Sequence, residues 1–194
     1  MAATATKGAT TRAAILDRAV DIASTDGLDG LTIGRLAGEL GMSKSGLFAH
    51  FGSKQELQLA TVEAAAARFG EAVIDPTREA ADGAPRMRAM ATAYLTHLDS
   101  GAYSGGCFWA ATSAEYDDRP GPVRDAIAGS LDAWLGELER QARAAGVADP
   151  ERLAFELYAV VMGANSRYRL SGDRRVFAYA RQSVERLLAE LPRQ

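Results

Sequence analysis

Between Glu39 and Glu56 the chain carries no acidic residue: the sixteen positions "LGMSKSGLFAHFGSKQ" hold Lys44, His50 and Lys54 and nothing negative. Sulfur is scarce as well. The single cysteine, Cys107, excludes an internal disulfide and offers no second sulfur ligand to a metal. No apolar run approaches the ~20 residues that cross a bilayer, and the N-terminal "MAATATKGATTRAA" lacks the apolar core of a secretory signal. The simplest expectation is a cytoplasmic chain with no membrane contact, no cofactor and no metal site. Nor is there an excess of positive charge. The net charge is −3, and residues 1–56 balance six Lys or Arg against six Asp or Glu. Any attraction to phosphate must therefore come from the placement of charge on one face rather than from its sum.

A hydrophobic share of 47% over 194 residues is that of a globular protein with a real core. The pattern is helical almost throughout, with no internal repeat and no convincing strand. A first helix over about 11–25 sets Ile15, Leu16, Ala19, Val20, Ile22 and Ala23 on one stripe at 3.6-residue spacing. Thr32 caps a short helix to Leu40, Gly41 supplies a tight turn, and Ser43 caps a third helix to about His50. Ser53 and Glu56 form a capping box for a fourth, which runs to about residue 75. Residues 76–85 read as a linker.

Further on, Met87, Met90, Ala91, Tyr94, Leu95 and Leu98 share one helical face. An apolar helix over 107–116 follows, and then a long amphipathic one carrying Val123, Ile127, Leu131, Trp134, Leu135 and Leu138. Asp149 and Pro150 open a helix through about residue 170. A last helix carries the stripe Val176, Ala180, Ser183, Leu187 and Leu191. The expected fold is all-α. Residues 1–10 are a disordered arm, 11–52 a three-helix domain, and 53–194 a larger helical domain.

Ala37, Gly41 and Leu47 sit at the spacing of a helix-turn-helix: a small residue at the crossing, a Gly at the turn, an aliphatic lock. Such a unit lays its second helix in the DNA major groove. At these residues "LTIGRLAGELGMSKSGLFAHFGSKQEL" resembles the DNA-binding segment of the tetracycline-repressor (TetR) family of bacterial regulators. The matching features are a Thr opening the second helix, the Ala–Gly core, the Gly–Met–Ser turn, an aromatic–x–His–Phe ending and a Ser–Lys–x–x–Leu start of the fourth helix. The specific resemblance spans about residues 10–60.

The resemblance implies a sequence-specific reader of double-stranded DNA on a regulatory domain that dimerises and often holds a small effector. A helix in a groove faces phosphates on both sides, which accounts for the missing carboxylates. Base reading then falls to Lys44, Ser45, Gly46 and His50, and phosphate contact to Thr32 and Lys54 at helix N-termini. Some alternatives stay open. Gly46 could ease helix packing, Lys54 could be merely solvated, and His50 could stack on Phe51. Arg35 reads as an ordinary solvated charge. One departure stands out. The family usually has Tyr where this chain has Phe48, and its hydroxyl commonly meets phosphate. Phe48 stays among the residues the resemblance sets at the DNA; it keeps the ring packing and loses a bond worth roughly 1.5–3 kcal/mol to a charged acceptor.

In the larger domain Tyr94, His97, Cys107 and Phe108 mix apolar walls with polar groups, as do Trp109, Tyr158, Met162 and Asn165; small-molecule sites share this character. Core packing is the competing reading. Residues 153–164 are apolar nearly all round, too much for one core face, and imply a homodimer through Leu157, Val160, Val161 and Ala164 with Ala180, Ser183 and Leu187. Gly163 and Ala164 permit close approach. Two copies could read a palindromic operator with half-sites ~34–36 Å apart or a multiple of that. The leading expectation is a repressor released by a ligand. The alternatives are a ligand-independent DNA-binding protein and a thiol enzyme using Cys107 with His97.

Overall fold

The computed structural model describes residues 7–189 and 191. Among them every regular element is a helix: α1 (Lys7–Asp26), α2 (Ile33–Leu40), α3 (Lys44–Phe51), α4 (Lys54–Phe69), α5 (Ala84–Asp99), α6 (Phe108–Tyr116), α7 (Pro122–Ala144), α8 (Pro150–Ser171) and α9 (Arg175–Ala189). Residues 1–6 of the expected arm lie outside the described residues. Residues 7–10 are helical: no Pro interrupts the run before Arg18, and Ala9, Ala13 and Ala14 offset the weaker helix formers Gly8, Thr10 and Thr11. α4 ends earlier than its pattern suggests. After Phe69 the backbone widens into a π-helical stretch, Gly70–Ile74, then tightens into a 3-10 turn over Asp75–Thr77, where Pro76 has no N–H to continue the ladder. The expected linker is pinned rather than loose. The Arg86 guanidinium donates to the carbonyls of Arg78 (2.7 Å) and Ala80 (2.8 Å) and pairs with Asp82 at 2.8 Å.

The chain forms two compact units, and they do not follow the 52/53 boundary expected from the sequence. The first joins the described residues up to Ala66 to Tyr103–Ala128; the second joins Ala67–Ala102 to the described residues from Gly129 onward. In the first unit the inward stripes of α1 and α2 close over Leu47 and Phe51 of α3, Leu57 and Val62 of α4, and Phe108 and Tyr116 of α6. α6 is held tightly to α1. A Cβ on Gly105 would fall 1.8 Å from the Ser24 carbonyl oxygen. The Gly105 and Ser104 N–H groups donate to Ser24 Oγ (3.0 Å) and Asp21 Oδ1 (2.9 Å).

In the second unit α5, α8 and α9 pack together, with all six predicted residues of the α5 face buried. Fully buried Gln141 takes two partners from the entry to α5 and one from its own helix. Its Oε1 accepts the Gly83 N–H (2.7 Å), and its Nε2 donates to Asp82 (3.1 Å) and Glu137 (3.0 Å). A buried amide with all its groups paired fixes one packing arrangement. The α9 stripe is turned by one residue from the expected one: Phe177, Ala180, Val184 and Leu188 are buried, whereas Val176, Ser183 and Leu187 are half-exposed.

Candidate nucleic-acid interface

α2 and α3 are each defined by their caps. Thr32 Oγ1 accepts the Arg35 N–H at 3.2 Å, and Ser43 Oγ accepts the Gly46 N–H at 3.0 Å. Between them Gly41 takes a left-handed backbone, φ 63°, so that the Met42 N–H reaches back to the Ala37 carbonyl at 2.9 Å. Ala37 and Leu47 are both buried. This is the crossing, turn and lock that the spacing predicts. Leu47 and Phe51, one turn apart, anchor α3 inward, which fixes its outward face as Lys44, Ser45, Phe48 and Ala49, all exposed.

That face differs from the expected one in three ways. Phe48 is not packed; its ring is 51% exposed. Lying one residue past Leu47, it is ~100° around the helix from the buried stripe. Gly46 and His50 are half-buried. The His50 ring leans on Phe51 at 6.2 Å and 51°. A Cβ at Gly46 would meet only its own cap, Ser43 Oγ, at 3.0 Å, so the missing side chain is not needed for packing against α2. Ala49, four residues after Ser45 and so on the same side of the helix, is exposed as well.

The charges around this face are organised. Lys44 makes no ion pair among the described residues, and its stem passes the start of α2, where a Cβ on Gly34 would come within 3.3 Å of its Cε. Lys54, exposed at the first position of α4, donates to the Asp29 carbonyl (3.0 Å) and carboxylate (3.1 Å). Its ammonium holds the Asp29 carboxyl below the usual carboxylate range, assisted by Arg119. The Glu115 carboxylate accepts the N–H groups of Leu28 (2.6 Å) and Asp29 (2.7 Å), and buried Gln58 donates to the Leu28 carbonyl (2.9 Å) and Tyr116 hydroxyl (3.1 Å). A clamp from α6 thus sets the loop that holds Lys54. Arg35 is not simply solvated: it pairs with Asp26 and Glu39, and Glu39 also takes Arg18 of α1.

A family model described as bacterial regulatory proteins, tetR family, matches residues 15–61, and one described as tetracyclin repressor-like, C-terminal domain, matches residues 83–184, more than half of the chain. The chain belongs to the TetR family. It is a DNA-binding transcriptional regulator of a non-enzymatic family, so the thiol-enzyme alternative falls away. Among solved structures it resembles a TetR regulator from Chloroflexus aurantiacus J-10-FL, with 21% identity, 95% of this chain and 97% of that one covered, and a TM-score of 0.87. A TetR-family regulator from Cytophaga hutchinsonii gives 20%, 99%, 100% and 0.83. AibR, solved in complex with isovaleryl coenzyme A and operator DNA, gives 21%, 93%, 97% and 0.72. At these identities the likeness is one of fold. No curated protein sequence matches significantly.

The residues expected to hold an effector divide between the units of this TetR-family chain. Cys107, Phe108 and Trp109 belong to the first unit, with Cys107 and Phe108 buried; Tyr94, His97, Tyr158, Met162 and Asn165 belong to the second. In the second unit Tyr94 stands edge-on to Trp134 (5.4 Å) and Phe69 (4.7 Å). The Trp134 indole N–H is buried with no hydrogen-bond partner among the described residues, a feature with no signal in the sequence. Burial lowers the pKa of His97, one turn beyond Tyr94. A separate cavity of about 420 Å³ in the first unit is lined by Thr10, Thr11, Ala14, Ile15, Leu40 and Met42, none of them expected.

The proposed dimer residues also divide. Leu157, Val161, Ala164 and Ala180 are buried inside their own unit, while Val160, Ser183 and Leu187 are half-exposed. The large apolar side chains left in solvent on α8 and α9 are Phe155 (65%), Leu170 (84%) and Tyr179 (57%). Gly163 is exposed and Ala164 is not. An amphipathic reading cannot separate the two faces of a helix that is apolar on both.

Proposed function

We propose that this TetR-family regulator is a homodimeric repressor that reads a palindromic operator through α3 and is released by a small-molecule effector. The observation that carries the reading is the outward face of α3, exposed, free of carboxylates and edged by Lys44 and Lys54. Lys54 and Thr32, at the N-termini of α4 and α2, bind phosphate, where helix dipole and backbone N–H groups favour an anion. Lys44 and Ser45 meet the groove directly. Gly46 and His50 support the approach from the flank.

Phe155, Leu170 and Tyr179 form the contact between copies, since large apolar groups left in solvent along one helical hairpin mark an interaction surface. Val160, Ser183 and Leu187 line its rim. The effector enters the second unit beside Tyr94 and Trp134, whose unpaired indole N–H is a donor awaiting an acceptor. His97, Tyr158, Met162 and Asn165 complete that site. Release requires the ligand to bind the two conformational states unequally; α4 and α7, whose residues belong to both units, carry the difference. AibR, with both an acyl coenzyme A and operator DNA in one structure, supports the pairing of functions. Selection of bound duplexes from a random pool, followed by a metabolite screen for release, tests the proposal. An enriched inverted repeat released by one compound supports it, and salt-sensitive binding without sequence preference rejects it.

A further inference from the structure

Among the described residues four large apolar side chains are exposed: Phe155, Leu170, Tyr179 and Phe48. The first three lie on α8 and α9. Phe48 stands apart, at the middle of the α3 face. Leu47 and Phe51 hold the helix so that this ring cannot turn inward without exposing the core. Ala49 lies beside it, also exposed. Ser45, one turn before Ala49, has its hydroxyl 3.2 Å from the capping Ser43 Oγ and so is partly committed to the helix start. The centre of the reading face is therefore apolar, on a helix that carries Lys44 and no carboxylate of its own.

The chemistry of the major groove offers one complement to such a face. Base edges there present donors, acceptors and a single apolar group, the C5-methyl of thymine. A bare phenyl ring can form no hydrogen bond to a phosphate, so its favourable contact is burial against that methyl. We propose that Phe48 is a specificity-determining residue that reads a thymine 5-methyl group, with Ala49 completing the apolar contact. Each half-site then carries thymine at that position. The proposal rests on α3 being the helix that enters the groove.

Deoxyuridine removes the methyl and leaves base pairing intact, so the test needs no altered protein. Each thymine of the selected operator is replaced in turn, and the dissociation constant of the full-length protein is measured by fluorescence anisotropy at fixed salt. At one position per half-site the expected loss is about fourfold, that of burying one methyl-sized group, and the two half-sites multiply. F48A is expected to bind thymine and deoxyuridine sites equally. Because the ring is exposed, its circular-dichroism melt is expected to match the parent's. Wild-type binding that ignores every deoxyuridine while keeping its operator preference overturns the role of Phe48 and leaves the reading of α3 standing. F48A with undiminished deoxyuridine sensitivity, or with uniform weakening on all sequences, also overturns it. Failure to bind any duplex removes the reading of α3 itself.

Discussion

Replacing Glu115 by Ala should uncouple α6 from the loop that carries Asp29 and Lys54. The carboxylate is 15% exposed and accepts two backbone N–H groups, at 2.6 and 2.7 Å. A hydrogen bond to a charged group contributes about 1.5–3 kcal/mol, and removing the acceptor leaves its donors without their partner. The two bonds share one side chain, and water can reach part of the gap, so about 3 kcal/mol is a fair total. For a chain of this size each kcal/mol lowers the melting midpoint by ~2–4 °C, which predicts a fall of about 6–12 °C by circular dichroism. Glu115→Gln keeps one acceptor oxygen and should lose about half as much. Because Asp29 holds Lys54 at 3.1 Å, operator affinity measured well below the new midpoint should weaken too. A melting midpoint within 1–2 °C of the parent, about the shift of a neutral surface substitution, would refute the clamp.

Three further outcomes follow from single contacts. Gly105→Ala must push its Cβ into the Ser24 backbone and should destabilise by about 1–3 kcal/mol or more, whereas Gly136→Ala, with open space around it in α7, should stabilise by roughly 0.5–1 kcal/mol; chemical denaturation of both variants checks the contrast. His97 has a pKa below its usual 6.5 through burial, so the unfolded chain gains a proton there before the folded one does. Stability should therefore fall as pH drops below 6.5 towards the folded value, and His97→Gln should flatten that limb of a melting-versus-pH curve. Phe155→Glu combined with Leu170→Glu should convert a dimer to a monomer in light scattering with little change in helix content. A dimer that persists would move the interface elsewhere.

The reading head was legible because its signals are local. Thr32, Gly41, Ser43 and Ser53 announce caps and turns within four residues of their partners, and Ala37 and Leu47 are spaced by helix geometry alone. Leu47 and Phe51, four apart, already mark the buried stripe, and the offset of one residue puts Phe48 on the DNA-facing side expected of it; that its ring is exposed rather than packed follows from the same offset. The clamp from Glu115 to Leu28 and Asp29 spans more than eighty residues of sequence, and a single chain offers no periodicity that reports such a pair. The membership of α6 in the first unit was hidden for the same reason. On α8 the composition is apolar all round, so the pattern could announce a second face without saying which side the chain's own core takes.

The central claim is that α3 lacks carboxylates because its outer face enters DNA. Ser45→Glu tests it most directly. A glutamate at the second helical position opposes the positive end of the helix dipole favourably, worth about 0.3–1 kcal/mol, so local stability alone gives no reason for its absence. The account predicts a variant at least as stable as the parent in thermal melts, with operator binding weakened by two orders of magnitude or more at low salt. Operator affinity within twofold of the parent would contradict it.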